Sequence, residues 1–331
     1  MKKKEEIVLI DLFIHNDSAM IKKWFEEMKL FVPKQMVGSL LTKGNYKKYN
    51  EKTFFANVEK EFTKEKFNIS YHEENNSISA TRNRNSKDIS IISAGLEVDL
   101  YKDHEEEITF LINNIMEKNG VVGRIVHYDD NFWQNNMDKN YYNLHNKSLD
   151  GIPLRKLPKH QNKVIVDIQK MPGYEEVVNN IWFGAAWKMW FASPYYEYIP
   201  EETLANFTDC YKNEKLPSDC ICITLYENVN DYDEPENREL QWKFKKAVDF
   251  DNVVDAARKA KKYKSAGPET EIKEGNFSHG GVKLFRVYLD INGHNVPKSK
   301  ATKVRVIEYD KSGKVVWSEV REIEFNSMWV K

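Results

Sequence analysis

The chain has 331 residues, 31% charged and 41% hydrophobic, enough to bury a sizeable core and typical of two soluble domains. Its 50 lysines and arginines balance 51 aspartates and glutamates, so no field of one sign favours nucleic acid or a charged surface. Three cysteines are too few, and odd in number, for a disulfide framework, which points to a reducing compartment, the cytoplasm.

The start, MKKKEEIVLIDLFI, has the basic head of a signal peptide, but its apolar run is short and broken by Asp11. Residues 6–14 therefore read as a strand. Residues 17–31 read as a helix, with Asp17 and Ser18 as cap candidates and Ile21, Trp24, Phe25 and Met28 at helical spacing. The lysine-rich passage 43–66 holds one further helical stretch, TFFANVEKEF. FNISYHE (67–73), SISATRN (77–83) and DISIISAGLEVDL (88–100) alternate or run apolar like strands, with ENNS and RNS as turns. EEEITFLINNIMEKNG (105–120) is helical, with acids in its first turn, Ile108, Leu111, Ile112 and Ile115 on one face, and Gly120 as its stop. VVGRIVHYDD (121–130) closes this half as a strand.

Residues 131–162 form a polar connector containing tyrosines, and GIPLRKLPKHQN (151–162) reads as linker. KVIVDIQKM (163–171) is then a strand and 174–192 a helix. CICITLYENV (220–229) and ELQWKFKKAV (239–248) are strands on either side of the acidic turn NDYDEPEN. DNVVDAARKAKKYKSAG (251–267) is a helix with Asp251 as cap and Gly267 as stop. GVKLFRVYLDI (281–291) is a strand, and 303–325 is a hairpin turning at DKSG.

Both halves thus follow a βαββαβ order, and the predicted fold is α+β: two ferredoxin-like halves, residues 1–130 and 163–331, joined by the 131–162 linker, with a C-terminal β-hairpin. The pattern Trp-Phe, aromatic, branched aliphatic, Pro recurs at 24–33 and 190–200, and an internal duplication would account for it.

The stretch IWFGAAWKMWFASPYYEYIP (181–200) places Phe183, Trp187, Trp190 and Phe191 at helical spacing, with Val178, Trp182 and Ala185 on a second face. A helix apolar around most of its circumference is core. Asn179, Asn180 and Lys188 interrupt it too often for a membrane span, so no membrane role is expected. Pro194 stops the helix and leaves Tyr195, Tyr196 and Tyr198 on a loop.

Dinucleotide, Walker, His-Glu-x-x-His and Gly-x-Ser-x-Gly signatures are absent from the sequence, and no cofactor or metal is expected. FSHGG (277–281) resembles an esterase oxyanion loop but has no nucleophile elbow to serve, and flexible entry into the following strand explains its glycines. Cys220 and Cys222 lie on one face of a strand, with Cys210 upstream, a spacing that suits small buried hydrophobes better than zinc. The acidic runs DHEEE and NDYDEPEN lack the order of a calcium loop. Trp242 and Phe244 on one strand face give a partial likeness to an RNA-stacking strand, without its Gly or its second aromatic motif, so nucleic acid is an unlikely partner.

What remains is a soluble, non-catalytic module that binds another protein, of the immunity or inhibitor type that neutralises a toxin or enzyme by direct contact. Loop aromatics are its anchor candidates, Trp133, Tyr141 and Tyr142 together with Tyr195, Tyr196 and Tyr198, the last three expected to hold their hydroxyls free. The alternatives are an enzyme of unrecognised class with a pocket between the halves, and RNA or small-ligand binding on the sheet face.

Overall fold

A computed structural model describes residues 6–38, 46–64, 66–82, 88–157, 160–260, 270–291, 293–296 and 301–323. The chain divides into two compact units, Met1–Lys261 and Lys262–Lys331.

The first unit opens with β1 (Ile7–His15), α1 (Ser18–Glu27), β2 (Gln35–Val37), β3 (Lys47–Lys48), α2 (Glu51–Phe62), β4 (Phe67–Glu73), β5 (Asn76–Arg82) and β6 (Ile89–Glu97). Then come α3 (Val98–Asp103), α4 (Glu105–Asn119), β7 (Gly120–His127), α5 (Tyr128–Asn135), α6 (Lys139–Leu144), β8 (Leu154–Leu157) and β9 (His160–Val166). It ends with β10 (Glu176–Val178), β11 (Ile181–Phe183), β12 (Lys188–Phe191), α7 (Glu201–Ala205), β13 (Lys212–Lys215), β14 (Ile221–Thr224), α8 (Pro235–Ala247) and α9 (Phe250–Lys259). The second unit is β15 (Thr270–Glu274), β16 (Lys283–Leu289), β17 (Lys303–Tyr309) and β18 (Val315–Glu322), one antiparallel sheet in that order.

One antiparallel sheet of ten strands organises the first unit, in the order β13-β14-β12-β7-β1-β6-β5-β4-β2-β3. The hydrophobic runs explain its centre. β7 is buried along its whole length, and β1 buries Val8, Ile10, Leu12, Phe13 and Ile14, so the middle of the sheet is covered on both faces. α1, α2 and α4 pack together over one face, where Trp24, Phe25 and Ile112 are fully buried. Asp17 caps α1 as the sequence implied, its Oδ1 accepting the Ala19 and Met20 N–H groups at 2.8 and 3.1 Å.

The other face carries a polar clamp. Arg124 of β7 stands opposite Asp11 of β1 and donates to its Oδ2 at 2.8 and 3.0 Å. It also ion-pairs with Glu175, whose Oε2 accepts the Trp182 indole N–H at 2.9 Å. The clamp ties the β10–β11 hairpin to the sheet, with the guanidinium 5.5 Å from the Trp182 ring centre.

Several expectations are corrected. Strands from both sides of 131–162 share one sheet, because β12 pairs with β7, and residues 163–260 do not run in βαββαβ order. Residues 174–192 are strands: Asn179 and Asn180 take φ of 53° and 62° and turn the β10–β11 hairpin, a left-handed pair that asparagine tolerates. Residues 239–248 belong to α8, begun by Pro235 and rich in helix formers, which bury Gln241, Phe244 and Lys245 at i, i+3 and i+4. Trp190-Phe191 therefore lies on a strand and Trp24-Phe25 on a helix, which removes the support for duplication. Shorter changes follow the same logic. The C-terminal parts of two expected strands are helical, as α3 and α5, and the linker stretch 151–162 contains the β8–β9 hairpin. The cap of α9 is Asp249, not Asp251. The RNS turn, Gly267 and the end of the C-terminal hairpin lie outside the described residues.

The aromatic stretch is core, as expected, though in strands and the connection between them: Trp182, Phe183, Trp187 and Trp190 are each at most 3% exposed. No described helix is long and apolar enough to cross a membrane.

Candidate protein interface

β7 runs out at His127, whose Nδ1 accepts the Asp129 N–H at 3.2 Å and so starts α5. The inner face of this two-turn helix is fixed by polar contacts. Buried Asp130 ion-pairs with Arg238 and accepts the Gln241 amide at 3.1 Å. Burial pushes its carboxyl up from the usual range, and Arg238 and Gln241 pull it back. One turn on, Gln134 accepts the Gly173 N–H at 2.9 Å.

With that face anchored, Tyr128 of α5 is exposed while Phe132 and Trp133 are half-buried beside it. Tyr128 and Phe132, four residues apart, stack at 5.8 Å with planes 16° apart. Phe132 meets Trp133 at 4.9 Å and Tyr141 of α6 at 5.8 Å, and Tyr141 stacks on His145 at 5.6 Å. Tyr142 lies beneath. It is 1% exposed, packs on Trp133 at 4.8 Å and donates its hydroxyl to the Trp133 carbonyl at 2.5 Å. The surface so made exposes Tyr128 at 42%, Tyr141 at 45% and Leu144 at 76%. Lys147 sits 5.6 Å over the Trp133 ring.

The structure thus brings Trp133, Tyr141 and Tyr142 together, with Tyr142 as the support and Tyr141 at the surface. Tyr128, Phe132, Leu144 and His145 complete the patch. The sequence hides them, because Tyr128 falls at the end of an expected strand (121–130) and Phe132, Leu144 and His145 in an expected polar connector (131–162). The Tyr128/Phe132 spacing was the available signal.

Tyr195, Tyr196 and Tyr198 lie elsewhere, on and just after the 3-10 turn that follows β12, and the expectation of free hydroxyls is corrected. Tyr195 is 1% exposed and donates to the Trp182 carbonyl at 3.2 Å. Tyr196 donates to the Phe191 carbonyl at 3.1 Å and to that of Asp219. Tyr198 is half-buried, with its ring against Phe183 at 5.3 Å. These residues close the rim of the core.

The remaining chemistry is structural. The N–H groups of the FSHGG turn do not form an oxyanion hole. His279 N–H and Gly281 N–H donate to the buried Glu308 carboxylate at 3.1 and 3.2 Å, and the His279 ring stacks on Trp317 at 4.2 Å. A Cβ on Gly281 would lie 2.6 Å from Glu308 Cβ, so the close approach requires glycine there. Cys220 and Cys222 are buried, and burial pushes both thiols up to about 12. Lys245 is 4% exposed and donates to the Met171 and Tyr174 carbonyls at 3.3 and 3.1 Å, with the Phe250 ring centre 4.2 Å away. It borders a cavity of about 280 Å³ with Trp242, Asp249 and Asp251. A more open groove of about 720 Å³ at the start of α4 is lined by Glu105, Glu106, Glu107, Phe110 and Lys188. Among the described residues no group of three His, Cys, Asp or Glu is placed to hold a metal.

No protein-family model and no curated protein matches the chain. Among solved structures, the T6SS protein PA0821 of Pseudomonas aeruginosa is similar at 10% identity and a TM-score of 0.47, over 74% of this chain and 77% of that one.

Proposed function

We propose that this protein is a non-catalytic protein-binding module that holds its partner through the aromatic surface of α5 and α6, as an immunity or inhibitor-type protein holds a toxin or enzyme. One observation carries the reading: Tyr128, Phe132 and Tyr141 form one run of touching rings, Tyr128 and Tyr141 exposed and Phe132 half-buried between them, and buried polar contacts fix the inner face of α5. Rigid aromatic groups lose little side-chain entropy on binding and supply most interface energy. The near-neutral charge fits recognition by short-range complementarity, with little long-range steering. The strand order β7-β1-β6-β5 supports reading residues 1–130 as a βαββαβ unit carrying β2, β3, α2 and β4 as an insertion.

The test begins with affinity capture from the native lysate, followed by reconstitution with the purified partner. Replacing Phe132 and Tyr141 together by alanine is expected to weaken that complex by about 2 kcal/mol, roughly thirtyfold in Kd, with the melting transition retained. A folded double variant that binds as tightly as the wild type would overturn the assignment of this surface.

A further inference from the structure

The two edges of the ten-stranded sheet are guarded against strand addition: β3 is two lysines long, and β13 reads Lys-Asn-Glu-Lys. β18 in the second unit is different. It runs for eight residues at the edge of its sheet and exposes Val315, Val316 and Val320. An edge of that length and character is a template for a further strand.

The pairing on its inner side shows which backbone groups point outward. Ile323 N–H donates to the Thr302 carbonyl at 2.8 Å, and Arg321, Glu319 and Trp317 stand opposite Val304, Val306 and Glu308 of β17. Antiparallel alternation then turns the N–H and C=O groups of 317, 319 and 321 toward β17, and those of Ser318, Val320 and Glu322 away from it. Side chains follow the same period of two, so Trp317, Glu319 and Arg321 share one face and Ser318, Val320 and Glu322 the other.

We propose that a second copy of this chain adds to β18, antiparallel, about a two-fold axis between the two Val320 residues, joining two four-stranded sheets into one of eight. In that register the outward-pointing residues meet: Val320 faces the partner's Val320, and Ser318 faces the partner's Glu322. Glu319 then lies opposite the partner's Arg321, and Arg321 opposite the partner's Glu319. In the single chain these two side chains bond each other at 2.6 and 2.7 Å while remaining about half exposed, so the charges are already aligned on the open edge. Charge selects the register. Centring the axis on Glu319 keeps the hydrogen-bonding parity but sets Glu319 against Glu319, and centring it on Ser318 sets Glu319 against Trp317 and leaves Arg321 without an acid. A two-fold contact also closes on itself and builds no fibre.

Sedimentation equilibrium on the full chain tests this. The wild type is expected to dimerise reversibly as concentration rises through the micromolar range, with no larger species. Arg321→Glu sets acid against acid across the axis and Glu319→Arg sets base against base, so each alone should weaken dimerisation about tenfold or more. An equimolar mixture of the two variants should recover the dimer, because unlike charges face each other again. Val320→Pro removes one outward N–H, spares the β17 ladder, and should leave a folded monomer, with folding checked by circular dichroism. A wild type that stays monomeric, a dimer indifferent to the single reversals, a mixture no better than its parents, or growth into polymers would each overturn the proposal.

Discussion

Four residues carry three distinct expectations. Trp187 is 3% exposed and donates its indole N–H to the Tyr226 carbonyl at 2.7 Å, so Trp187→Ala removes both a large buried surface and a satisfied donor. Urea unfolding is expected to show a loss of about 3–5 kcal/mol, and a loss below about 1 kcal/mol would contradict its place in the core. Lys245 is the case where pH matters. Burial lowers its amine to about 8 from 10.5, against the opposing pull of Asp251 and Glu176. Between those values the unfolded chain holds a proton that the folded chain has released, so this group makes stability rise with pH across that window and contributes a constant penalty below it. Lys245→Met should flatten the rise and should not destabilise the protein near pH 7, where the wild type carries the buried charge. Thermal melts of both proteins at several pH values between neutral and 10 decide it. The thiols of Cys220 and Cys222, raised to about 12, should resist a disulfide reagent in the native protein and react at once in denaturant.

At the scale of elements, the β10–β11 hairpin is the informative one. Its turn needs two left-handed residues, and Asn180 holds φ at 62°. Asn180→Gly should therefore be neutral or mildly stabilising, whereas Asn180→Val should cost about 1–2 kcal/mol, both readable from urea midpoints. The helices at the start of the chain were legible because Asp17 and the Ile21, Trp24, Phe25 spacing are local signals that packing did not override. The aromatic stretch was legible as core but not as strand. A central strand buried on both faces, as β12 is from Met189 to Phe191 between β7 and β14, is apolar at successive positions, and so is a buried helix. Length and the Asn-Asn turn were the only local arbiters. α8 failed in the opposite sense: alternating Trp242, Lys243, Phe244 and Lys245 imitates a half-buried strand, while Lys245 in fact turns inward beside Phe244.

For the whole molecule, the first unit carries a hydrophobic core of its own, built among the described residues from Val8 to Ala257. A fragment of residues 1–261 is therefore expected to unfold cooperatively, and calorimetry showing no transition would contradict that independence. Legible in the chain itself were its mixed helix and strand class, the early elements, the cap at Asp17, the burial of Trp182, Trp187 and Trp190, and the concentration of aromatic residues near 133–142. These depend on composition, capping and short-range periodicity, which act within a few residues. The tertiary structure alone decided that β12 and β14 join the sheet built by β1, β6 and β7. It also decided that Tyr195 is sealed inside while Tyr141 faces solvent, and that Glu308 occupies the N–H groups of the FSHGG turn. The reason is physical: pairing partners and exposure are set by contacts between residues far apart in the chain, and a local pattern that satisfies two elements equally is resolved only when those contacts form.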